Sequence, residues 1–212
     1  MKLYGTRLSP WVMRVLLAAR AKGHALELVA PEGGVKGPDY LALNPIGKVP
    51  TLVDGDLVLP ESQIIAEYLD ATLSGPALMP TDPAAAARVR LLARLADFYA
   101  APALVPLFQA RENPGAVAGA KAELAVALGH IEHFRKAGDA FAVGDSFTLA
   151  DAALVPFCFF IEALDGQLGT GALLAARPGL AAWWARIKTH EAAAWALGEQ
   201  AAELRARFAA AA

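Results

Sequence analysis

Along roughly the first eighty residues, apolar positions switch between a two-residue and a 3.6-residue spacing, and beyond Pro83 only the helical spacing remains. Lys2 to Gly5 predicts a short strand. Pro10 to Lys22 predicts a helix that carries Trp11, Val15, Leu16 and Ala19 on one face and stops at Gly23. Leu26 to Val29 reads as a second strand, followed by the irregular Pro31-Glu32-Gly33-Gly34 stretch and a helical patch around Asp39 to Leu43. Thr51 to Val53 and Leu57 to Leu59 form a hairpin through Asp54-Gly55-Asp56, where glycine supplies the positive φ of a tight turn. A helix from Ser62 to about Leu73 closes the unit, so the order is βαβ and then ββα.

From Ser74 to Pro83 the turn formers Ser, Gly, Pro, Thr and Asp crowd together without a period, which marks an interdomain linker. Alanine-rich helices follow over Ala84–Ala100, Val117–Lys136, Leu149–Leu164, Gly179–Thr189 and Glu191–Ala211, with Gly138 as a helix stop and Ala209 to Ala212 as a frayed end. The expected organisation is a domain over 1–75, a linker over 76–83 and an all-helical domain over 84–212.

Composition narrows the function classes. The chain has 212 residues, 56% of them hydrophobic and 19% charged, with a formal net charge of -2 and no run of like charges, so the basic footprint of a nucleic-acid binder is missing. A mean hydropathy of +0.39 raises the question of a membrane span. The best stretch, Ala152 to Ile161, is too short for the roughly 20 apolar residues a span needs, is bounded by Asp151 and Glu162, and is interrupted by Pro156. Thr6, Arg7 and Ser9 break any signal-peptide core. A single cysteine, Cys158, lies in an apolar run and excludes an intramolecular disulfide, which fits a reducing cytoplasm. His130 and His133 stand one turn apart but have no third ligand nearby, so a solvated face is expected and no metal.

Three short features remain. Ser9-Pro10 joins the first strand to the first helix, as an N-cap followed by a first-turn proline would. Val49-Pro50 opens the third strand, where a residue without an N–H is tolerated or marks a cis bond. Glu61-Ser62 precedes a helix, and Ser62 alone is one more cap. Taken together, Asn44-Pro45-Ile46-Gly47-Lys48-Val49-Pro50-Thr51-Leu52 and Leu59-Pro60-Glu61-Ser62-Gln63-Ile64-Ile65-Ala66-Glu67-Tyr68-Leu69 resemble the soluble glutathione transferases. The string Ser9-Pro10-Trp11-Val12-Met13-Arg14 is similar to serine-type members, the tau type of plants and bacterial tau-, theta- or zeta-like relatives. Ser146-Phe147-Thr148-Leu149-Ala150-Asp151 resembles the family's N-capping box, in which Thr148 and Asp151 satisfy each other's backbone N–H, a folding motif.

The resemblance implies an α/β thioredoxin-like N-terminal domain and an all-α C-terminal helical domain. It implies glutathione as co-substrate and Ser9 as the residue that holds its sulfur as thiolate. A free thiol has a pKa near 8.5, which falls beside a hydrogen-bond donor or a helix N-terminus, and Ser9 stands where both act. Tyr4 and Thr6 are the rivals. By the same resemblance Glu61 and Ser62 receive the γ-glutamyl ammonium and carboxylate. Val49 beside Pro50 pairs with the ligand backbone if that bond is cis, Lys48 approaches the ligand, and Lys36 reaches the glycyl carboxylate or is a plain exposed lysine.

An apolar electrophile is then expected between the domains, with Trp11, Phe98, Tyr99 and Phe108 as candidate walls or as ordinary core. Arg88, Arg90 and Arg94 with Asp97 line either a homodimer contact or a salt-bridged surface. The expected activity is a detoxifying transferase that adds glutathione to hydrophobic electrophiles. Glutathione-dependent isomerases, dehalogenases and etherases share the first site, and a non-catalytic binding or regulatory protein is the reading from another class. Thiol–disulfide exchange is disfavoured because serine at position 9 cannot form a mixed disulfide.

Overall fold

Ser9 and Pro10 start the first helix as the sequence predicts, and Gly5 explains why it lies so close to the first strand: a Cβ there would collide with Val12. In this computed structural model, which describes residues 1–210, two compact units form by packing. The first holds Met1–Leu78 together with the helix that begins at Glu191; the second is Met79–His190.

In the first unit the elements run β1 (Lys2–Tyr4), α1 (Pro10–Ala21), β2 (Glu27–Val29), α2 (Pro38–Leu43), β3 (Thr51–Asp54), β4 (Leu57–Pro60) and α3 (Ser62–Thr72). The sheet order is β2-β1-β3-β4. β1 pairs in parallel with β2 (Leu3 opposite Leu28) and antiparallel with β3 (Leu3 opposite Leu52), while β3 and β4 form the hairpin with Asp54 opposite Leu57. Gly55 turns that hairpin at φ 58°. Leu3 and Leu52 are completely buried, α1 packs against α3, and Val12, Val15, Ile65 and Leu69 on these two helices are completely buried as well. This is the thioredoxin-like βαβ-ββα arrangement.

The end of α1 is tied down by a buried ion pair. Lys22 Nζ lies 2.9 Å from Asp70 Oδ1 and donates to the Pro76 carbonyl at 2.9 Å, and the same carboxylate oxygen accepts from Leu78 N–H at 2.9 Å. The last helix, α11 (Glu191–Ala210), packs along α1 and so groups with the first unit, whereas the sequence reading placed it with the helical domain. It is helical to Ala210, where the sequence reading began a frayed end at Ala209; Ala211 and Ala212 lie outside the described residues.

The second unit is helical throughout its regular elements: α4 (Pro83–Leu95), α5 (Ala101–Phe108), α6 (Val117–Phe134), α7 (Leu149–Ala163), α8 (Asp165–Leu168), α9 (Gly171–Ala175) and α10 (Pro178–Ile187). Asp82 caps α4 by accepting from Ala85 N–H at 2.8 Å. Helix α4 does not stop near Ala100 as expected but continues through a π-helical turn, Ala96–Ala100, into α5. The physical reason lies in Pro102, which has no N–H and whose ring presses on the carbonyl four residues back; a wider turn makes room for it.

The resulting run, Pro83–Phe108, is 26 residues long and apolar enough to cross a membrane by length and composition, with 50% of its apolar window buried inside the protein. Its stripe of Val89, Leu92, Ala93, Ala96 and Ala100 forms core of the helical unit. The stretch that the sequence singles out as the best span candidate, Ala152 to Ile161, lies instead in α7, which is buried almost along its whole length in spite of Pro156. The short helices α8 and α9 carry too few residues to show a period and went unpredicted. Helix α6 ends at Phe134, with Gly138 four residues beyond at φ 94°.

Candidate active site

The turn that leaves β1 is compact: Ser9 N–H donates to the Thr6 carbonyl at 3.0 Å and Leu8 N–H to Thr6 Oγ1 at 3.3 Å. Ser9 therefore arrives at the N-cap of α1 with φ -76° and ψ 120°. Its Oγ accepts from Val12 N–H at a long 3.4 Å, and its carbonyl accepts from Met13 N–H at 2.9 Å. Among the described residues the Ser9 hydroxyl proton has no acceptor, and it sits at the positive end of a twelve-residue helix. The two rivals are differently placed. Tyr4 lies inside β1, paired with Val29 and Thr51, with its ring 6.0 Å from that of Tyr40. Thr6 is exposed and its oxygen serves Leu8.

The Val49–Pro50 bond is cis. A buried polar network holds the loop around it. Tyr40 OH donates to the Lys48 carbonyl at 2.7 Å and meets Thr51 Oγ1 at 2.8 Å, and Asn44 Nδ2 donates to the same two oxygens at 3.0 and 2.8 Å. Pinning Lys48 and Thr51 fixes what lies between them. Neither the N–H nor the C=O of Val49 is engaged in a backbone hydrogen bond among the described residues. Lys36 comes to the same loop: a Cβ on Gly47, whose φ is +62°, would stand 2.7 Å from Lys36 Nζ. Lys36 and Lys48 are exposed, and neither ammonium has an acidic partner among the described residues.

Glu61 is the one non-glycine residue with positive φ among the described residues, at φ 71° and ψ 108°. Such a conformation costs roughly 1–3 kcal/mol and clusters at sites where it holds a group in place. Glu61, not Ser62, occupies the N-cap position of α3, so the expectation of Ser62 as a cap is corrected: Ser62 is the first helical residue and is buried. Its Oγ accepts from Arg14 Nη1 at 3.1 Å. Arg14 is fully buried in α1 and was missed as a site residue. The signal was present, since an arginine interrupts the run Val12, Met13, Val15, Leu16 on the face that buries. Accepting from Arg14 leaves the Ser62 hydroxyl proton for an incoming anion at the α3 N-terminus.

In the helical unit, Phe98 and Tyr99 lie on the π turn with 57% and 53% of their surface exposed, and Phe108 at the end of α5 is 48% exposed. The core reading of these three aromatics is thus removed. The Arg94 guanidinium lies 4.0 Å from the Phe98 ring centre, Tyr99 meets His130 edge-on at 5.7 Å, and Phe108 meets Phe160 at 5.0 Å. Trp11 is half-buried on α1, two residues beyond Ser9. Arg88 pairs with Asp139 at 3.3 Å. His130 and His133 are exposed, and no group of three or more metal-binding side chains occurs among the described residues.

Asp151 is the most constrained carboxylate. It is fully buried; Oδ1 accepts from Ala142 N–H (2.8 Å) and Trp183 Nε1–H (2.9 Å), and Oδ2 from Thr148 N–H and Thr148 Oγ1–H (both 2.9 Å). Burial raises its pKa against the lowering by these four hydrogen bonds. The neighbouring Arg135 has its pKa lowered by burial, opposed by Asp151 and Asp139. Burial likewise pushes the Cys158 thiol up.

The glutathione S-transferase N-terminal domain profile matches residues 3–77 and the C-terminal domain profile residues 95–191. Glutathione S-transferase 3 of Zea mays is 37% identical over 209 residues, covering 91% of this chain and 90% of that protein. A stringent starvation protein A homolog of Pasteurella multocida is 32% identical, covering 89% of this chain and 85% of that one. Among solved structures, glutathione S-transferase III in its apo form is 34% identical with a TM-score of 0.77, covering 93% and 95% of the two chains. A maleylacetoacetate isomerase of Methylobacterium extorquens, solved with malonate and glutathione, is 31% identical with a TM-score of 0.76, covering 94% and 97%. The chain belongs to the glutathione S-transferase family.

Proposed function

We propose that this chain is a glutathione transferase that binds glutathione on its first unit, holds the sulfur as thiolate through Ser9, and delivers it to hydrophobic electrophiles. The observation that carries this reading is the state of Ser9, whose oxygen accepts from the α1 backbone while its proton has no acceptor among the described residues. A sulfur placed there receives a hydrogen bond that favours the anion, and the helix end favours it further. The thiol proton leaves to water, the thiolate forms the new carbon–sulfur bond, and a halide departs or an opened epoxide oxygen takes a proton from water. Ser9 stays a hydroxyl throughout.

The rest of the tripeptide has a partner for each end. Glu61 meets the γ-glutamyl ammonium, and Ser62, oriented by Arg14, meets its carboxylate. Val49 offers a backbone N–H and C=O to the cysteinyl residue as an added strand would. Lys36 and Lys48 meet the glycyl carboxylate. Trp11, Phe98, Tyr99 and Phe108 supply the apolar contacts of the second substrate. The protein acts in the cytoplasm as a homodimer.

Titration calorimetry with glutathione, followed by turnover against aryl halides, epoxides, isothiocyanates and peroxides, tests the proposal. Binding with conjugation of at least one class is expected; no binding at millimolar glutathione contradicts it. The likeness to the isomerase favours a second reading, in which the thiolate adds to a double bond and leaves again. Turnover of maleylacetoacetate with glutathione unconsumed distinguishes it. Binding without any turnover marks a non-catalytic glutathione-binding or regulatory protein.

A further inference from the structure

Arg7 and Arg20 bracket α1, and both reach the same helix. Arg7 Nε lies 2.6 Å from Glu199 Oε2, and Arg20 Nη2 lies 3.3 Å from Glu191 Oε1 with its guanidinium 5.6 Å from the Trp195 ring centre. Because the earlier arginine meets the later glutamate, α11 runs antiparallel along α1. Glu191 and Glu199 are separated by about 12 Å of helix, a span similar to the about 15 Å from Pro10 to Arg20. Ala192, Ala193, Ala196 and Gln200 form the buried stripe of α11, which seats Glu199 beside the turn that carries Arg7.

We propose that α11 is a brace for the catalytic turn, and that Arg7 and Glu199 are positioning residues that set where the Ser9 hydroxyl points. The inference rests on the role of Ser9 given above. Arg7 lies between Thr6 and Ser9 in a turn whose own hydrogen bonds are Ser9 N–H to the Thr6 carbonyl and the 3.3 Å contact from Leu8 N–H to Thr6 Oγ1, while Ser9 is also held from the helix side by Val12 N–H on its Oγ and Met13 N–H on its carbonyl. The ion pair, a charge contact in which Arg7 Nε lacks the alignment of a hydrogen bond, adds an electrostatic tie to an element nearly two hundred positions later. Displacing a catalytic donor by about 1 Å can cost about a hundredfold in rate, so a tie two residues from Ser9 has leverage.

Charge and position predict opposite signs for the bound thiol. Glu199→Gln leaves Arg7 cationic and unpaired; by charge alone that cation favours a thiolate nearby and lowers the apparent pKa of bound glutathione. Loss of positioning weakens the Ser9 hydrogen bond and raises it.

The experiment is the pH dependence of kcat/KM, with the ultraviolet absorbance of enzyme-bound glutathione thiolate, for the wild type, Glu199→Gln, Arg7→Ala, the exchanged pair Arg7→Glu with Glu199→Arg, and Glu191→Gln. Both Glu199→Gln and Arg7→Ala are expected to move the acid limb upward by about half to one unit and to lower kcat/KM about threefold to tenfold at neutral pH. The exchanged pair is expected to recover most of that loss, and Glu191→Gln to leave the pH profile in place while lowering the melting temperature. An acid limb that moves down or stays put in Glu199→Gln, an exchanged pair no better than its single variants, or an equal shift in Glu191→Gln overturns the proposal. Ser9→Ala, measured alongside, separates the two claims. If Ser9→Ala leaves the profile unchanged, the Ser9 reading fails; if it shifts the profile and the Arg7 and Glu199 variants do not, only the brace fails.

Discussion

Replacing Asp151 by alanine tests whether the capping box serves folding. The substitution removes the acceptor of three N–H groups, those of Ala142, Thr148 and the Trp183 indole, while the Thr148 hydroxyl can turn elsewhere. A buried donor left without a partner costs about 1–3 kcal/mol, so the gross loss is about 3–9 kcal/mol. Removing a charge that burial disfavours returns part of this, and about 3–5 kcal/mol remains. At about 2–4 °C per kcal/mol for a chain of this size, the melting temperature is expected to fall by about 6–20 °C.

Asp151→Asn keeps an oxygen for Ala142 and Trp183 but turns an amide N–H₂ toward Thr148 N–H, so a loss of about 1–3 kcal/mol is expected. The pH dependence follows from the raised pKa. The native state binds the Asp151 proton more tightly than the unfolded chain, so the carboxyl's contribution is complete below its ordinary value of 3.8 and is lost as pH rises through the raised value. The stability of the wild type relative to Asp151→Asn therefore declines over that range. Urea and thermal unfolding of the three proteins measure these differences, and the KM for glutathione of folded Asp151→Asn is expected to be unchanged. A loss under about 1 kcal/mol in Asp151→Ala refutes the reasoning, because no set of three orphaned buried donors is that cheap.

Three further outcomes are expected. Ser62→Ala removes the acceptor of Arg14 and the proposed donor to the γ-glutamyl carboxylate, so the glutathione Kd is expected to rise about tenfold to a hundredfold with kcat less affected, by calorimetry and steady-state kinetics. Glu61→Gly is expected to be about 1 kcal/mol more stable than Glu61→Ala, since only alanine keeps a Cβ at φ 71°, and both are expected to bind glutathione more weakly; equal stabilities would show that the strain is not local. Cys158, buried and with its thiol pKa raised by burial, is expected to resist a thiol reagent in the native protein and to react completely in denaturant.

What could be read from the sequence was what neighbouring residues decide. Ser9-Pro10 and Gly23 bound α1, Gly55 turns the hairpin, and Thr148 with Asp151 opens α7, because each depends on a few adjacent side chains. Partners far along the chain were hidden. Arg14 reaches Ser62 across 48 positions, and nothing in α1 alone says which residue its guanidinium meets. The helix expected to end near Ala100 runs on, because a π turn just before Pro102 absorbs that proline, a departure from 3.6-residue spacing that periodicity does not register. Glu191 to Ala211 reads as an alanine-rich helix, but nothing in that segment names the surface that covers it, and that surface is α1. Phe98, Tyr99 and Phe108 carried two readings until their exposure removed the core one.

The central claim is that the Ser9 hydroxyl holds the glutathione sulfur as thiolate, and titrating the thiolate absorbance of the bound tripeptide in wild type, Ser9→Thr and Ser9→Ala tests it most directly. Wild type is expected to show an apparent pKa well below the free-thiol value of about 8.5, Ser9→Thr to keep part of that lowering, and Ser9→Ala to return toward about 8.5 while still binding glutathione. A Ser9→Ala protein that binds glutathione with the thiol pKa still lowered as in wild type contradicts the account.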